Sequence, residues 1–175
     1  MRDRLIQGML VRSLLVVVLC LFFAGAVQAA KVQVPAGTEV KVKFDSRAAV
    51  NSGDAVAGVP ILIELAEPIT IGGKIIVEEG AKGTAVVSEV KKAGKGGKPG
   101  NIKVEFVDLE PKGLFKAPEG AKIKLAGTAE GKGKGKKTLS YLFIFGLFIK
   151  GTQGELSTTQ AYPATVADNI ILESQ

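Results

Sequence analysis

The 175-residue sequence has no histidine, no tryptophan and one cysteine, Cys20. Each gap closes a route to chemistry. Without histidine there is no Ser-His-Asp or Cys-His pairing of nucleophile and base. Zinc sites built on histidine and cysteine are excluded in the same way. The aspartates Asp45, Asp54, Asp108 and Asp168 are far apart, and no Asp-x-Asp-x-Asp loop of the calcium-binding kind occurs. Phe44-Asp45-Ser46 approximates an aspartic-protease motif, but Arg47 stands where the glycine is needed. No catalytic residue, metal or cofactor is therefore implied. A serine–lysine nucleophile pair is one covalent route left open. Paired carboxylates acting on envelope glycans are another, with Glu64, Glu67, Glu105 and Asp108 as candidates, though the missing tryptophan removes the usual sugar platform.

Residues 1–29 have the three parts of a secretory signal peptide. Arg2, Arg4 and Arg12 make a positive start, diluted only by Asp3. Residues 14–27 (LLVVVLCLFFAGAV) are apolar, and Val27-Gln28-Ala29 places small residues where a signal peptidase reads. Cleavage after Ala29 is expected. A retained membrane anchor is the alternative, but the run falls short of the roughly 20 apolar residues a spanning helix needs. Cys20 is preceded by Leu19, not by the small residue that a lipid-modified cysteine normally follows. Cleavage would make the protein exported, periplasmic or envelope-associated, and would leave a single domain over residues 30–175 with no cysteine. Such a domain relies on packing instead of disulfides.

Within residues 30–175, period-2 alternation dominates. In residues 38–44, Val40, Val42 and Phe44 alternate with Glu39, Lys41 and Lys43. Residues 101–107 alternate Ile102, Val104 and Phe106 with Lys103 and Glu105, and residues 121–125 repeat the pattern. Residues 84–90 read as a further strand. One wet face per strand is the mark of antiparallel sheets. Gly72-Gly73 between Ile69-Thr70-Ile71 and Lys74-Ile75-Ile76-Val77 reads as a hairpin turn. Ile61-Leu62-Ile63, opened by Pro60, is apolar on both faces and reads as a central strand. No clean 3.6-residue period appears, so little helix is expected. The fold class is all-β: a single antiparallel sandwich or small barrel-like domain. Pro35-Ala36-Gly37 and Pro118-Glu119-Gly120, with Glu78-Glu79-Gly80 as a partial third copy, each feed a strand. They are either a duplicated unit or one turn reused by one sheet.

The basic balance, 23 Lys and Arg against 17 Asp and Glu, is concentrated. Eight lysines lie in two Gly/Lys stretches: Lys91, Lys92, Lys95 and Lys98 in residues 91–100, and Lys132, Lys134, Lys136 and Lys137 in residues 130–137. Both read as mobile loops. They are either solvated segments or contacts for an anionic surface. Nucleic acid is not the expected partner, because arginine and stacking aromatics are missing from both. Residues 139–149 (LSYLFIFGLFI) hold Tyr141, Phe143, Phe145 and Phe148 and are apolar on both faces. That strand must be covered, by the core, by a membrane, by a partner or by self-association. Eleven residues are too few for a membrane-spanning helix.

Several turns keep a recognisable order: Val34-Pro35-Ala36-Gly37-Thr38, then Asn51-Ser52-Gly53-Asp54, then Gly73-Lys74-Ile75-Ile76-Val77-Glu78-Glu79-Gly80-Ala81-Lys82-Gly83. Across residues 34–172 this resembles exported bacterial all-β domains. More distantly it is similar to the β-barrel domain of TrbI-like conjugation proteins of type IV secretion channels. The chain lacks that family's transmembrane helix with a Pro-rich linker and its helical insertion, so the resemblance implies an envelope β domain and no catalytic residues. The resulting expectation is an exported, non-enzymatic β domain for envelope binding or assembly. A glycan hydrolase and a purely structural oligomerisation module are the alternatives.

Overall fold

The alternating runs fold as antiparallel strands in a computed structural model that describes residues 30–48, 50–134 and 150–174. The strands are β1 (Lys31–Val34), β2 (Glu39–Phe44), β3 (Pro60–Leu65), β4 (Ile69–Ile71), β5 (Lys74–Val77), β6 (Lys82–Lys91), β7 (Asn101–Leu109), β8 (Phe115–Lys116), β9 (Ile123–Ala126), β10 (Thr128–Lys132), β11 (Tyr162–Val166) and β12 (Ile170–Ser174). Six of them close a barrel in the order β7-β6-β3-β2-β11-β9, with β9 returning to β7. The protein is thus all-β and barrel-like, the second of the two architectures expected. Among the described residues the one helical element is a 3-10 turn at Pro118–Gly120. No helix there is long and apolar enough to cross a membrane. The signal-peptide and cleavage expectations concern residues 1–29, which lie outside the described residues.

The pleat explains the barrel interior. Val40, Val42 and Phe44 of β2 and Ile61, Ile63 and Leu65 of β3 all point inward and are buried. A six-stranded barrel is narrow enough for side chains to fill it. Phe44 meets Tyr162 edge-on at 5.2 Å and Phe106 at 6.2 Å. Such ring pairs add about 0.5–1.5 kcal/mol each beyond the area they bury. Gly127, at φ 146°, separates β9 from β10. Its carbonyl accepts from Phe106 N–H at 3.0 Å, so the strand keeps its bond to β7 through the bend. A Cβ there would press on Ala164 of β11 and on the Phe106 ring. Glycine thus lets one continuous strand leave β11 and follow β7.

The two ends of the barrel are closed differently. At the capped end, the sheet β1-β12-β8 and the β4–β5 hairpin fold over the mouth. Val34, Ile76, Val77, Phe115 and Leu172 are buried beneath them. Gly72 and Gly73 both take positive φ, as a two-residue hairpin turn requires. The three echoed turns also lie at this end. Each closes with a backbone bond: Thr38 N–H to Pro35 O, Ala81 N–H to Glu78 O, and Ala121 N–H to Pro118 O. The same tight turn is used at three places of this end.

Residues 61–63 lie in a central strand as expected, between β2 and β6, and Leu62 stands on its outer face, 56 % exposed. With Ile61 and Ile63 in the barrel, Leu62 must point outward, and none of the described residues covers it.

Candidate functional site

The second end of the barrel is built from backbone and lysine. β6 ends at Lys91 and β7 begins at Asn101, so residues 92–100 turn at this mouth. β10 ends beside them at Lys132. Residues 150–156 then run across the opening. Gly100 N–H donates to Thr152 O at 2.9 Å, Gly133 N–H to Gly100 O at 2.9 Å, and Gly151 N–H to Gly94 O at 3.2 Å. Thr152 N–H donates to Lys134 O at 3.2 Å, and its hydroxyl accepts from Lys134 N–H.

Gly100, Gly131 and Gly133 of the Gly/Lys stretches, and Gly151 of the segment crossing the opening, therefore have a packing role. A Cβ at Gly133 would collide with the Thr152 carbonyl, and one at Gly151 with the Lys98 carbonyl. Close approach of two backbones needs glycine. Two features of the expected mobile loops change accordingly. Residues 130–132 belong to β10 and pair with Lys103, Ile102 and Asn101. The 91–100 turn is pinned by the Gly94–Lys98 bridge and by Ala93 N–H donating to Gln153 Oε1 at 3.0 Å.

Ser52 is the hub. It is fully buried and is the one buried polar residue among those described. Its N–H donates to Gly154 O at 2.7 Å, its hydroxyl accepts from Gly154 N–H at 2.9 Å, and that hydroxyl donates to Gln153 Oε1 at 2.7 Å. Three chain segments, around Ser52, Ala93 and Gln153, meet through these bonds.

The lysines follow from this closure. Lys91, Lys92, Lys95, Lys98, Lys132 and Lys134 come from two stretches about forty residues apart, and all are exposed at one end of one barrel. Lys150 joins them where the chain returns. Sequence reading missed Lys150, because it follows the apolar run and belongs to neither Gly/Lys stretch. Among the described residues none of these seven lysines forms an ion pair. The lysine pairs that do form are Lys31–Glu173, Lys41–Glu67, Lys122–Asp108 and Lys124–Asp168. Lys136 and Lys137, with Tyr141, Phe143, Phe145 and Phe148, lie outside the described residues. The described residues on either side, Lys134 and Lys150, both lie at the lysine end.

The candidate carboxylates are spread over the outer wall. Glu67 pairs with Lys41 at 2.8 Å and Asp108 with Lys122 at 3.4 Å. Glu64 on β3 and Glu105 on β7 are separated by the whole of β6. The barrel does not bring the four together. Ser88-Glu89-Val90-Lys91 spells a Ser-x-x-Lys, but it lies on β6. Three residues of strand span about 10 Å, whereas a helix would stack the two side chains. The Ser88 hydroxyl instead faces Lys103 O at 3.3 Å. Arg47, which breaks the protease-like motif, binds the aspartate of that motif. Its N–H donates to Asp45 Oδ1 at 2.8 Å and its Nε at 3.2 Å. These bonds, first from the guanidinium and then from the backbone, hold the Asp45 carboxyl below its ordinary value.

Compared with protein-family models, with curated proteins and with solved structures, the chain matches none.

Proposed function

We propose that this chain is an exported, non-enzymatic β-barrel domain that docks by its lysine end onto an anionic surface of the cell envelope and serves there as a binding or assembly module. One observation carries the reading: seven exposed lysines from separate segments share one barrel end, without ion pairs among the described residues. A solvated loop needs no such convergence.

The magnitudes suit a surface contact. A lysine close to an anionic membrane contributes about 1 kcal/mol, and the attraction fades within a Debye length of about 8 Å at physiological salt. Three or four lysines reaching the surface together supply about 3–4 kcal/mol, a millimolar affinity. Charge alone is therefore weak, and stable attachment takes a second, apolar contact. The sequence of residues 139–149 has the composition that contact needs. The resemblance to envelope β domains supports the setting. Export itself rests on the sequence of residues 1–29.

The test is vesicle co-sedimentation. Vesicles containing phosphatidylglycerol should retain the protein at low salt and release it as salt rises, and phosphatidylcholine vesicles should not retain it. Changing Lys91, Lys95, Lys98 and Lys134 together to glutamine should weaken binding by about a hundredfold or more, at about 1 kcal/mol per charge. Unchanged binding by that variant would refute the proposal.

A further inference from the structure

The barrel flank carries an apolar groove that the lysine end does not use. It lies along β3 and the turn before it, holds about 410 Å3, and is lined in part by the buried Ala55, Ile61 and Val87. Its lip is Val56, Val59 and Leu62, which are 61 %, 47 % and 56 % exposed. The strand pleat forces Leu62 outward, and the turn at Val56–Val59, closed by Val59 N–H to Val56 O, raises the opposite lip. A concavity of about 300–1,000 Å3 with apolar walls and a few placed polar groups is the ordinary form of a small-molecule site.

The polar groups set the charge of the ligand. Asp45, Arg47 and Asp54 stand around the groove. Asp45 and Arg47 neutralise each other at 3.2 Å. Asp54 is held differently: its Oδ2 accepts from Asn51 Nδ2 at 2.8 Å, a neutral donor, and its N–H is fixed by Asn51 Oδ1 at 3.0 Å. Among the described residues Asp54 forms no ion pair. The rim is left with one oriented, uncompensated negative charge beside an apolar trough. An anionic head would be repelled there and a cationic head attracted.

We propose that this groove binds a small cationic amphiphile, with an aliphatic body on Val56, Val59 and Leu62 and an ammonium group on Asp54. None of the seven lysines lines the groove, although Asp54 belongs to the turn whose Ser52 helps to close the lysine end.

Methyl NMR of the full chain, titrated with octylammonium, octanol and octanoate below their micellar concentrations, tests it. Octylammonium should give saturable shifts confined to Val56, Val59, Leu62 and Val87, with octanol weaker and octanoate weakest. Asp54→Asn should weaken octylammonium about threefold to fivefold, the scale of an exposed ion pair, and leave octanol unchanged. Leu62→Lys should abolish octylammonium binding; Val56→Ser, a milder change, should weaken all three ligands and serves if Leu62→Lys does not fold. Octanoate binding as tightly as octylammonium, or an unaltered Asp54→Asn, would overturn the proposal. So would light scattering that shows a dimer dissociated by Leu62→Lys, which would make the groove a contact between two copies of this chain.

Discussion

Both ends of the barrel carry lysines, but the two sets have different surroundings. At the capped end, Lys31, Lys122 and Lys124 each sit against a carboxylate, whereas Lys74, Lys82, Lys112 and Lys116 form no ion pair among the described residues. That end is closed by apolar layers, with Val34, Phe115 and Leu172 buried under added strands. At the other end the closure is made by backbone bonds through glycine and by one buried serine, and the lysines stand without ion pairs among the described residues. Lysine content is thus a poor guide by itself. The two ends differ in degree: the fold supplies counter-charge to some lysines of the capped end and to none of the seven at the other end among the described residues.

The largest stability effect should come from the capped end. Leu172→Ala removes a fully buried side chain from the lid and should cost about 2–5 kcal/mol, read from denaturant unfolding. A loss below 1 kcal/mol would mean that the lid is not part of the cooperative core. The lysine end should respond less. Ser52→Ala leaves the Gly154 N–H without an acceptor and should cost about 1–3 kcal/mol. If it also reduces vesicle binding, the hub positions the lysines; if stability alone changes, it only closes the barrel.

The smallest effect concerns the flank. Asp45 titrates below an ordinary aspartate because Arg47 binds its ionised form. Its folded value lies below its unfolded one, so its stabilisation is present above the unfolded value and is lost as pH falls through the folded value. Arg47→Ala should move the Asp45 carboxyl back up in an NMR titration. An unmoved carboxyl would show that the pair is not formed in solution.

Alternation made much of the wall legible in the sequence. β2, β6 and β7 appear there within two or three residues of their observed ends, and Gly72-Gly73 announces the β4–β5 hairpin. Closure did not appear, because it depends on Gly127 letting one strand serve two partners. β11 was hidden by its length and by Pro163, a residue that argues against a strand. β1 and β8 are too short to show a period. For the candidate site, six of the lysines could be named from composition, but their meeting could not. It is made by Thr152, Gln153 and Gly154, residues with no pattern of their own. The groove escaped for a related reason: Ile61-Leu62-Ile63 is apolar on both faces in sequence, and only the barrel shows that the Leu62 face is bare.

Site-resolved contact with a membrane tests the central claim most directly. In the full chain with Cys20→Ser, a fluorophore is attached at Lys95→Cys in one preparation and at Lys122→Cys in another. Each is mixed with anionic vesicles that carry a quencher in the headgroup region. The account predicts quenching at position 95, relieved by salt, and none at position 122. Equal quenching at both positions, or quenching at 122 alone, would contradict it.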